Sequence, residues 1–502
     1  MVYFNTKHKT KLIFKDLSMS HIYDVAVIGG GVSGTAAAYR LSRYKLKTVL
    51  LEKESDVSFG VSKANSGIVH GGFHYSAEKT LKGKLEIKGN LMYDQWHEEL
   101  DFAFNRCGIL IVAFKPEQME EIKRLYQQGV ENKVPGIELC SKERIMELEP
   151  KLAAEVYGGL FAPGGGVVEP YALVFSLAEA AKLNGVEIKT NFKVSGACDC
   201  NGVWEIVSSS GEKIRAGHVI NAAGLFADEV SHIFGAEEFV ISPRKGEEYL
   251  LDRLSPGRPQ RVIFPVPDKH TKGVLVIPTA GGTTMVGPTA QITDDKSDNA
   301  TTQLNKQAIF ALAKNMVSGI SEKDLITSFS GSRPVIEGKE DFFIQISEKA
   351  PRFIQCAGIQ SPGLTSAPAV AELLCELLEK DGVRLVEKDT PYIFPEKVPS
   401  VREISPEKAD ELFREDPAWT NIICRCEKVS EAEIRIAVRR GHTTLDGVKL
   451  ATRAGMGRCQ SGFCTIEIMK IIAQETGMSL ADVIKREKGG MLVSGVLGGE
   501  NK

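Results

Sequence analysis

The stretch from Tyr23 to Glu52 constrains this chain more than any other, because it sets out strand, glycine loop, helix and second strand in the order that grips a dinucleotide. Tyr23 to Ile28 is an apolar run of strand length, Gly29-Gly30-Gly31-Val32-Ser33-Gly34 is a tight turn, and Thr35 to Arg43 is rich in small helix formers. Each glycine of the G-x-G-x-x-G pattern has its own role. Gly29 permits the turn, Gly31 lets backbone approach a pyrophosphate, and Gly34 lets helix and strand pack closely, with the helix N-terminus facing the phosphates. The second strand, Thr48 to Leu51, ends at Glu52, whose carboxylate can bond a ribose diol and repel a 2′-phosphate. FAD or NAD therefore fits better than NADP, on a Rossmann-like α/β fold.

No second fingerprint of this kind follows, which speaks against direct oxidation of a pyridine nucleotide. Gly164-Gly165-Gly166 comes nearest, but Pro163 and Pro170 around it suit a loop entering the helix Tyr171 to Leu183. Arg261 to Pro267, Gly273 to Pro278 and Thr283 to Pro288 carry alternating and branched apolar residues and read as strands of an interleaved, β-rich substrate domain. The active site is then expected in the crevice between the two domains.

Charge excludes a broad nucleic-acid surface: 62 Lys and Arg against 65 Asp and Glu, spread along 502 residues, leave a net charge of −3. An anionic substrate needs a local basic pocket. No apolar run approaches the ~20 residues that span a bilayer, so the expectation is a cytoplasmic protein, with peripheral membrane association left open. Met1 to Ser20, with four lysines, reads as a flexible extension or as sequence upstream of a start at Met19.

Two further segments are distinctive: Val61-Ser62-Lys63-Ala64-Asn65-Ser66-Gly67-Ile68-Val69-His70-Gly71-Gly72, and Cys356 to Pro368 with its Ser361-Pro362-Gly363-Leu364-Thr365 turn. With Val219 to Gly224 and Gly331-Ser332-Arg333-Pro334 in order between them, the chain from about Tyr23 to Val386 resembles the FAD-dependent glycerol-3-phosphate and 2-hydroxyglutarate dehydrogenases of the D-amino-acid-oxidase-like flavoproteins. The resemblance implies a cofactor-binding set of Gly29, Gly31, Val32, Ser33, Gly34, Glu52, Lys53 and Ser62. It adds Ser66 and Gly67 near the isoalloxazine, Val194 at the adenine, Ala223 and Gly224 over the nucleotide, and Gly358, Pro362, Gly363 and Leu364 in a turn whose amides support the reduced flavin. A glycine-rich turn that only caps the helix Ala369 to Leu378 would look the same.

For the substrate the candidates are Arg333, Lys245, His70, His74 and Tyr249. Arg333 offers a planar fork for carboxylate or phosphate, and the resemblance places it over the flavin; a surface ion pair with Glu337 or Glu340 is its bland alternative. Lys245 can neutralise a dianion or be a solvated edge-strand lysine, and His70 and His74 can act as bases or simply pack. The implied reaction is oxidation of a secondary alcohol with hydride transfer to the flavin. Glycerol 3-phosphate going to dihydroxyacetone phosphate is the leading substrate, with L-2-hydroxyglutarate or a related 2-hydroxy acid as the alternative.

Six of the ten cysteines are scattered, Cys198 and Cys200 reading as incidental thiols, but Cys424, Cys426, Cys459 and Cys464 crowd one region. Their order, C-x-C then C-x4-C after thirty-two residues, resembles the bacterioferritin-associated-ferredoxin-like domains and implies a [2Fe–2S] cluster; zinc is the alternative. The wider last spacing departs from the usual C-x2-C of that family. Arg425, Lys428, Arg453 and Arg458 are expected to compensate the cluster's negative charge, and Cys464 opens a helix. Capping signals at Ser430 and Thr444 make the module helical.

The expected organisation is an extension at 1–20, an FAD-binding domain at 21–395 with a substrate domain inserted at about 85–165 and 235–325, a linker at 396–420, the [2Fe–2S] domain at 421–488 and a tail at 489–502. A cluster beside a flavin that lacks a pyridine-nucleotide site implies a hetero-oligomer, with a second flavoprotein or other electron-accepting subunit. An oxidase that reduces oxygen, or a redox-sensing scaffold without turnover, remain as alternatives.

Overall fold

The computed structural model describes residues 22–153, 155–267 and 273–495, so the expected extension at 1–20 and the end of the expected tail lie outside the described residues. Ile22–Ile28 is the central strand of an eight-stranded sheet. It pairs in parallel with Thr48–Leu51 and Lys213–Asn221, and the parallel core continues to Glu187–Lys189 on one side and Phe353–Ala357 on the other. Alternation along this strand sorts its side chains to two faces. Val25 and Val27 pack with helices Val32–Leu41 and Gly363–Lys380, whereas Ala26 and Ile28 join Trp204, Phe234 and Phe353 on the opposite face.

The glycine loop sits where strand meets helix. At Gly34 a Cβ would lie 1.9 Å from the Gly29 carbonyl oxygen, so helix and strand are as close as backbone allows. Gly34→Ala is therefore expected to push the helix Val32–Leu41 away and destabilise the protein by about 1–3 kcal/mol. Thermal unfolding of the purified variant, with its bound flavin quantified, checks this; a wild-type melting temperature and flavin content would contradict it.

A second sheet of nine strands is largely antiparallel. Its long pair, Ile241–Leu251 and Leu325–Ile336, runs in register with Arg244 opposite Arg333 and Gly246 opposite Gly331. Two expected boundaries shift. Helix Leu81–Glu99 packs on helix Gly363–Lys380 of the first layer, and the nine-stranded sheet takes up the chain at Ile109–Ala113 rather than at 85. Strand Leu325–Ile336 carries it past 325.

Helices Glu431–Arg439, Leu445–Thr452 and Thr465–Thr476 enclose a small core of Ile434, Val448, Met469, Ile472 and Val483. The Ser430–Glu433 capping box and the Thr444 cap expected from sequence both form. The segment expected as a linker holds a helix, Pro406–Glu415, capped by Ser405, and its Leu412 packs with Trp419 and Ala432. Proline and charge hide it in the sequence because a helix with one narrow apolar stripe needs few apolar residues.

Ion pairs join this module to the rest. The buried Glu427 carboxylate accepts from Arg253, Arg402 and Arg453 at 2.9–3.0 Å, and Arg453 also reaches Glu169 and the Tyr171 hydroxyl. Arg458 pairs with Asp252 at 3.0 Å. Two of the four cations expected to compensate the thiolates, Arg453 and Arg458, are thus engaged by carboxylates at the domain junction. Among the described residues no helix is long and apolar enough to cross a membrane.

Candidate functional site

Between the two sheets lies a cavity of about 850 Å³, in the upper range for a single small-molecule or cofactor site. Gly29, Gly31, Val32, Ser33, Glu52, Lys53, Ser62, Ser66, Gly67, Ala223, Gly224, Pro362, Gly363 and Leu364 all line it. Three of the expected cofactor residues do not. Gly34 is packed on the Gly29 carbonyl, Val194 belongs to the apolar cluster of Trp204 and Phe234, and Gly358, at φ +66°, turns the chain behind the wall.

At the nucleotide end, Glu52 accepts hydrogen bonds from the amides of Gly30 at 2.5 Å and Glu54 at 2.9 Å, and Ser62 Oγ accepts from Val32 N at 2.9 Å. A Cβ on Gly31 would meet only Ser62 Oγ, at 3.1 Å, so the loop offers bare backbone next to a helix N-terminus. An acid at the end of the second strand, open backbone at the middle glycine and an elongated cavity fit the FAD that the fold implies.

At the other end the strand register decides which side chains enter. Arg244, Gly246 and Glu248 face the cavity, and Lys245, Glu247 and Tyr249 therefore face away, since successive strand residues alternate. Lys245 is buried against Asp298, Nζ to Oδ2 2.6 Å, and the Tyr249 hydroxyl donates to Glu247 and to the Thr302 carbonyl. Neither of these expected substrate contacts lines the cavity, whereas Arg244 and Glu248 do. Arg333 does enter the cavity, and a Cβ on Gly246 would lie 3.2 Å from its Nη2, so the glycine makes room for the guanidinium. Among the described residues it makes no ion pair within 4 Å, with Glu337, Glu340 or any other carboxylate, and burial pulls its pKa down.

His70 also lines the cavity, its Nε2 3.3 Å from Ser361 Oγ. His74 lies behind it, off the wall, with its ring 4.4 Å from that of Phe73 and 5.7 Å from that of His70. Phe264, Leu275 and Tyr75 complete this end.

Glu248 is buried, accepts a short hydrogen bond from Ser66 Oγ through one oxygen, and leaves Oε2 without a partner among the described residues. Burial raises its pKa from 4.5 to about 7, against the lowering effects of Ser66 and Arg333. The folded protein thus holds this proton more tightly than the unfolded chain. The stability it contributes is full below the ordinary carboxyl range and is lost as pH rises through about 7. Glu248→Gln, which keeps the acceptor for Ser66, is expected to raise the melting temperature of the FAD-free protein at pH 8 and to leave it unchanged at pH 4.5. The gain corresponds to about 3 kcal/mol at most, and equal melting curves at pH 8 would refute it.

The four crowded thiols form a second site. Cys426 Sγ lies 3.8 Å from Cys424 Sγ and 3.6 Å from Cys459 Sγ, and Cys464 is in hydrogen-bonding contact with Cys424. Gly455 N points at Cys424 Sγ from 3.4 Å, and a Cβ on Gly457 would come within 2.6 Å of Cys426 Sγ. Glycine backbone thus surrounds the sulfurs, and Cys464 caps the helix Thr465–Thr476. Four neighbouring thiols with amide donors supply the donor type that a thiolate-bound iron–sulfur centre takes, and zinc takes the same donors. Cys198 and Cys200 lie elsewhere, on the hairpin of strands Val194–Asp199 and Trp204–Ser208.

Residues that sequence reasoning passed over are Arg244, Tyr75, Glu248 and Ser361. The signal for the first and third was parity: Arg244 and Glu248 share a face with Gly246, and the glycine pair Gly246 and Gly331 marks the face that other groups approach, the Arg333 guanidinium at Gly246 and the Ala64 carbonyl at Gly331.

Comparison with known proteins gives the family. The sequence model of the family described as FAD dependent oxidoreductase matches residues 24–377, and that described as BFD-like [2Fe-2S] binding domain matches 422–474. A glycerol 3-phosphate dehydrogenase of Caloramator mitchellensis is 37% identical over 94% of this chain and 98% of its own. The human mitochondrial L-2-hydroxyglutarate dehydrogenase is 32% identical over 53% of this chain and 61% of its own. Among solved structures, the dithionite-reduced, FAD-bound L-alpha-glycerophosphate oxidase of Mycoplasma pneumoniae superposes with a TM-score of 0.72 at 31% identity, covering 76% of this chain and all of its own. The chain belongs to the FAD dependent oxidoreductase family and carries a BFD-like [2Fe-2S] binding domain at its C-terminal end.

Proposed function

We propose that this enzyme oxidises sn-glycerol 3-phosphate to dihydroxyacetone phosphate and delivers the electrons to a partner subunit through its four-cysteine module. The observation that carries the reading is the pair of guanidiniums, Arg244 and Arg333, directly opposite each other in strand register and both facing the cavity. Two fixed positive charges suit a phosphate dianion. The similarity to glycerol 3-phosphate dehydrogenase across nearly the whole chain supports the same substrate.

FAD, held by the glycine loop, Glu52, Ser62 and the Pro362–Leu364 turn, supplies the hydride acceptor for the C2 carbon. Arg333 and Arg244 anchor the phosphate and so fix which carbon is presented. His70 takes the C2 hydroxyl proton on Nε2, with Ser361 Oγ beside it to orient the alcohol. The unpartnered oxygen of Glu248 accepts a hydrogen bond from the C1 hydroxyl. A [2Fe–2S] cluster on Cys424, Cys426, Cys459 and Cys464 supplies one-electron carriage toward the partner.

Anaerobic visible absorption of the purified protein tests this, with glycerol 3-phosphate and L-2-hydroxyglutarate in parallel. Bleaching of the flavin band by glycerol 3-phosphate alone is expected. Bleaching by the hydroxy acid alone would transfer the assignment to the other branch, and stoichiometric peroxide on admitting air would make the enzyme an oxidase.

A further inference from the structure

The C-terminal module does more than sit beside the flavin domain, because two of its residues, Arg486 and Glu487, line the cofactor cavity. The turn that carries them belongs to the module's own fold. Leu445 N and Asp446 N donate to the carbonyls of Ile484 and Lys485, Lys485 N donates to the Gly490 carbonyl at 2.7 Å, and the preceding Val483 is fully buried in the module's core. From that anchor Arg486 reaches across. Its Nη2 donates to Glu54 Oε2 at 3.2 Å and to the Phe59 carbonyl at 2.8 Å, its Cζ lies 5.1 Å from the Phe59 ring centre, and Ser55 Oγ donates to its carbonyl oxygen. His442 adds a second grip, with Nδ1 2.7 Å from Asp56 Oδ2 and its ring stacked on Phe175 at 4.2 Å.

We propose that the four-cysteine module is a wall of the FAD site, with Arg486 closing the cavity over the ribose and pyrophosphate of the cofactor. This rests on the reading of the cavity as the FAD site. Position gives the ligand part. Glu54 follows the ribose-binding Glu52 by two residues, and Phe59 precedes the Gly60–Lys63 loop whose Ser62 abuts the glycine turn. Charge gives its class. The Arg486 Nε–H is buried and has no acceptor among the described residues, and Lys63, on the same wall, has its pKa pushed down to about 8 by burial and then by Arg486. A phosphate anion would satisfy that donor and relieve that crowding of cations. The FAD-bound Mycoplasma pneumoniae structure corresponds to only 76% of this chain, so the effect proposed for the module is on affinity and not on whether such a fold can hold FAD.

The consequence is linkage. Whatever loosens the module weakens FAD, and FAD in turn holds the module in place. The test uses the full chain with its iron–sulfur centre intact, freed of FAD by anaerobic dialysis against bromide and titrated with FAD while flavin fluorescence is followed. Arg486→Ala is expected to bind FAD about tenfold more weakly than wild type, and Arg439→Ala, which removes an ion pair with Glu475 on a different face of the module, to bind as wild type does. In parallel, FAD is expected to slow tryptic cleavage of wild type within residues 387–420. Equal affinity of Arg486→Ala and wild type, or cleavage indifferent to FAD, would overturn the proposal while leaving the FAD assignment standing. No quenching by wild type would overturn the FAD assignment itself.

Discussion

Arg333→Ala is expected to lower kcat/KM for glycerol 3-phosphate about a thousandfold while leaving the bound flavin in place. The guanidinium occupies the space that Gly246 leaves, inside the cavity and without a carboxylate partner within 4 Å among the described residues, so its charge is available to a ligand. Removing one partner of a desolvated, hydrogen-bonded charge pair costs about 2–5 kcal/mol, and a thousandfold corresponds to about 4 kcal/mol. Arg244 stays in place across the register and keeps part of the attraction, which limits the loss. Arg333→Lys restores charge but not the two-pronged fork, so it should recover only part of the activity. The measurement is the rate of anaerobic flavin reduction against substrate concentration. A change under tenfold in Arg333→Ala would show that the phosphate binds elsewhere.

How far sequence reasoning reaches is visible in these residues. The glycine loop and Glu52 were legible because their geometry is local: thirty consecutive residues carry strand, turn, helix and acid, with a Cβ on Gly29 or Gly34 striking backbone and Gly31 leaving its backbone open. Arg333 was legible through its motif. Lys245 and Tyr249 failed for a reason of period: in a strand a shift of one residue exchanges the faces, and nothing in Pro243 to Tyr249 alone says which face meets the cavity. Only pairing with Leu325–Ile336 fixes that. Arg486 was beyond reach altogether. It stands 432 residues from Glu54, and only the docking of the module brings the two together.

The module itself shows the converse case, in which spacing finds the ligands but not their surroundings. Arg453 looked like a cation for the sulfurs, yet its left-handed backbone, φ +69°, sends it into ion pairs with Glu169 and Glu427. Of the four expected cations Arg425 and Lys428 remain, both exposed, while Lys449, which the sequence did not single out, is partly buried within electrostatic reach of Cys464, and backbone donors such as Gly455 N add to it. Amide dipoles at Cys424 and the Lys449 ammonium at Cys464 would therefore act together on the sulfur ligands.

Cys426→Ser is expected to abolish the broad visible absorbance and the bound iron of the module, with substrate still bleaching the flavin and turnover with the physiological acceptor lost at least a hundredfold. Cys426 is the informative ligand because its side chain is exposed, whereas Cys424 and Cys464 are 1% and 2% exposed and belong to the module's apolar core. Replacing either buried cysteine would disturb packing as well as ligation. Replacing Cys426 removes one sulfur from a set with spacings of 3.6–3.8 Å and leaves that core intact, so any loss reports on the metal centre. Iron and zinc analysis of the wild-type protein separates the two occupants that four thiol donors can take. About two irons per chain with a broad visible band identify the iron–sulfur centre. One zinc with no such band would make the module a docking unit, and electrons would then have to leave the flavin by another route.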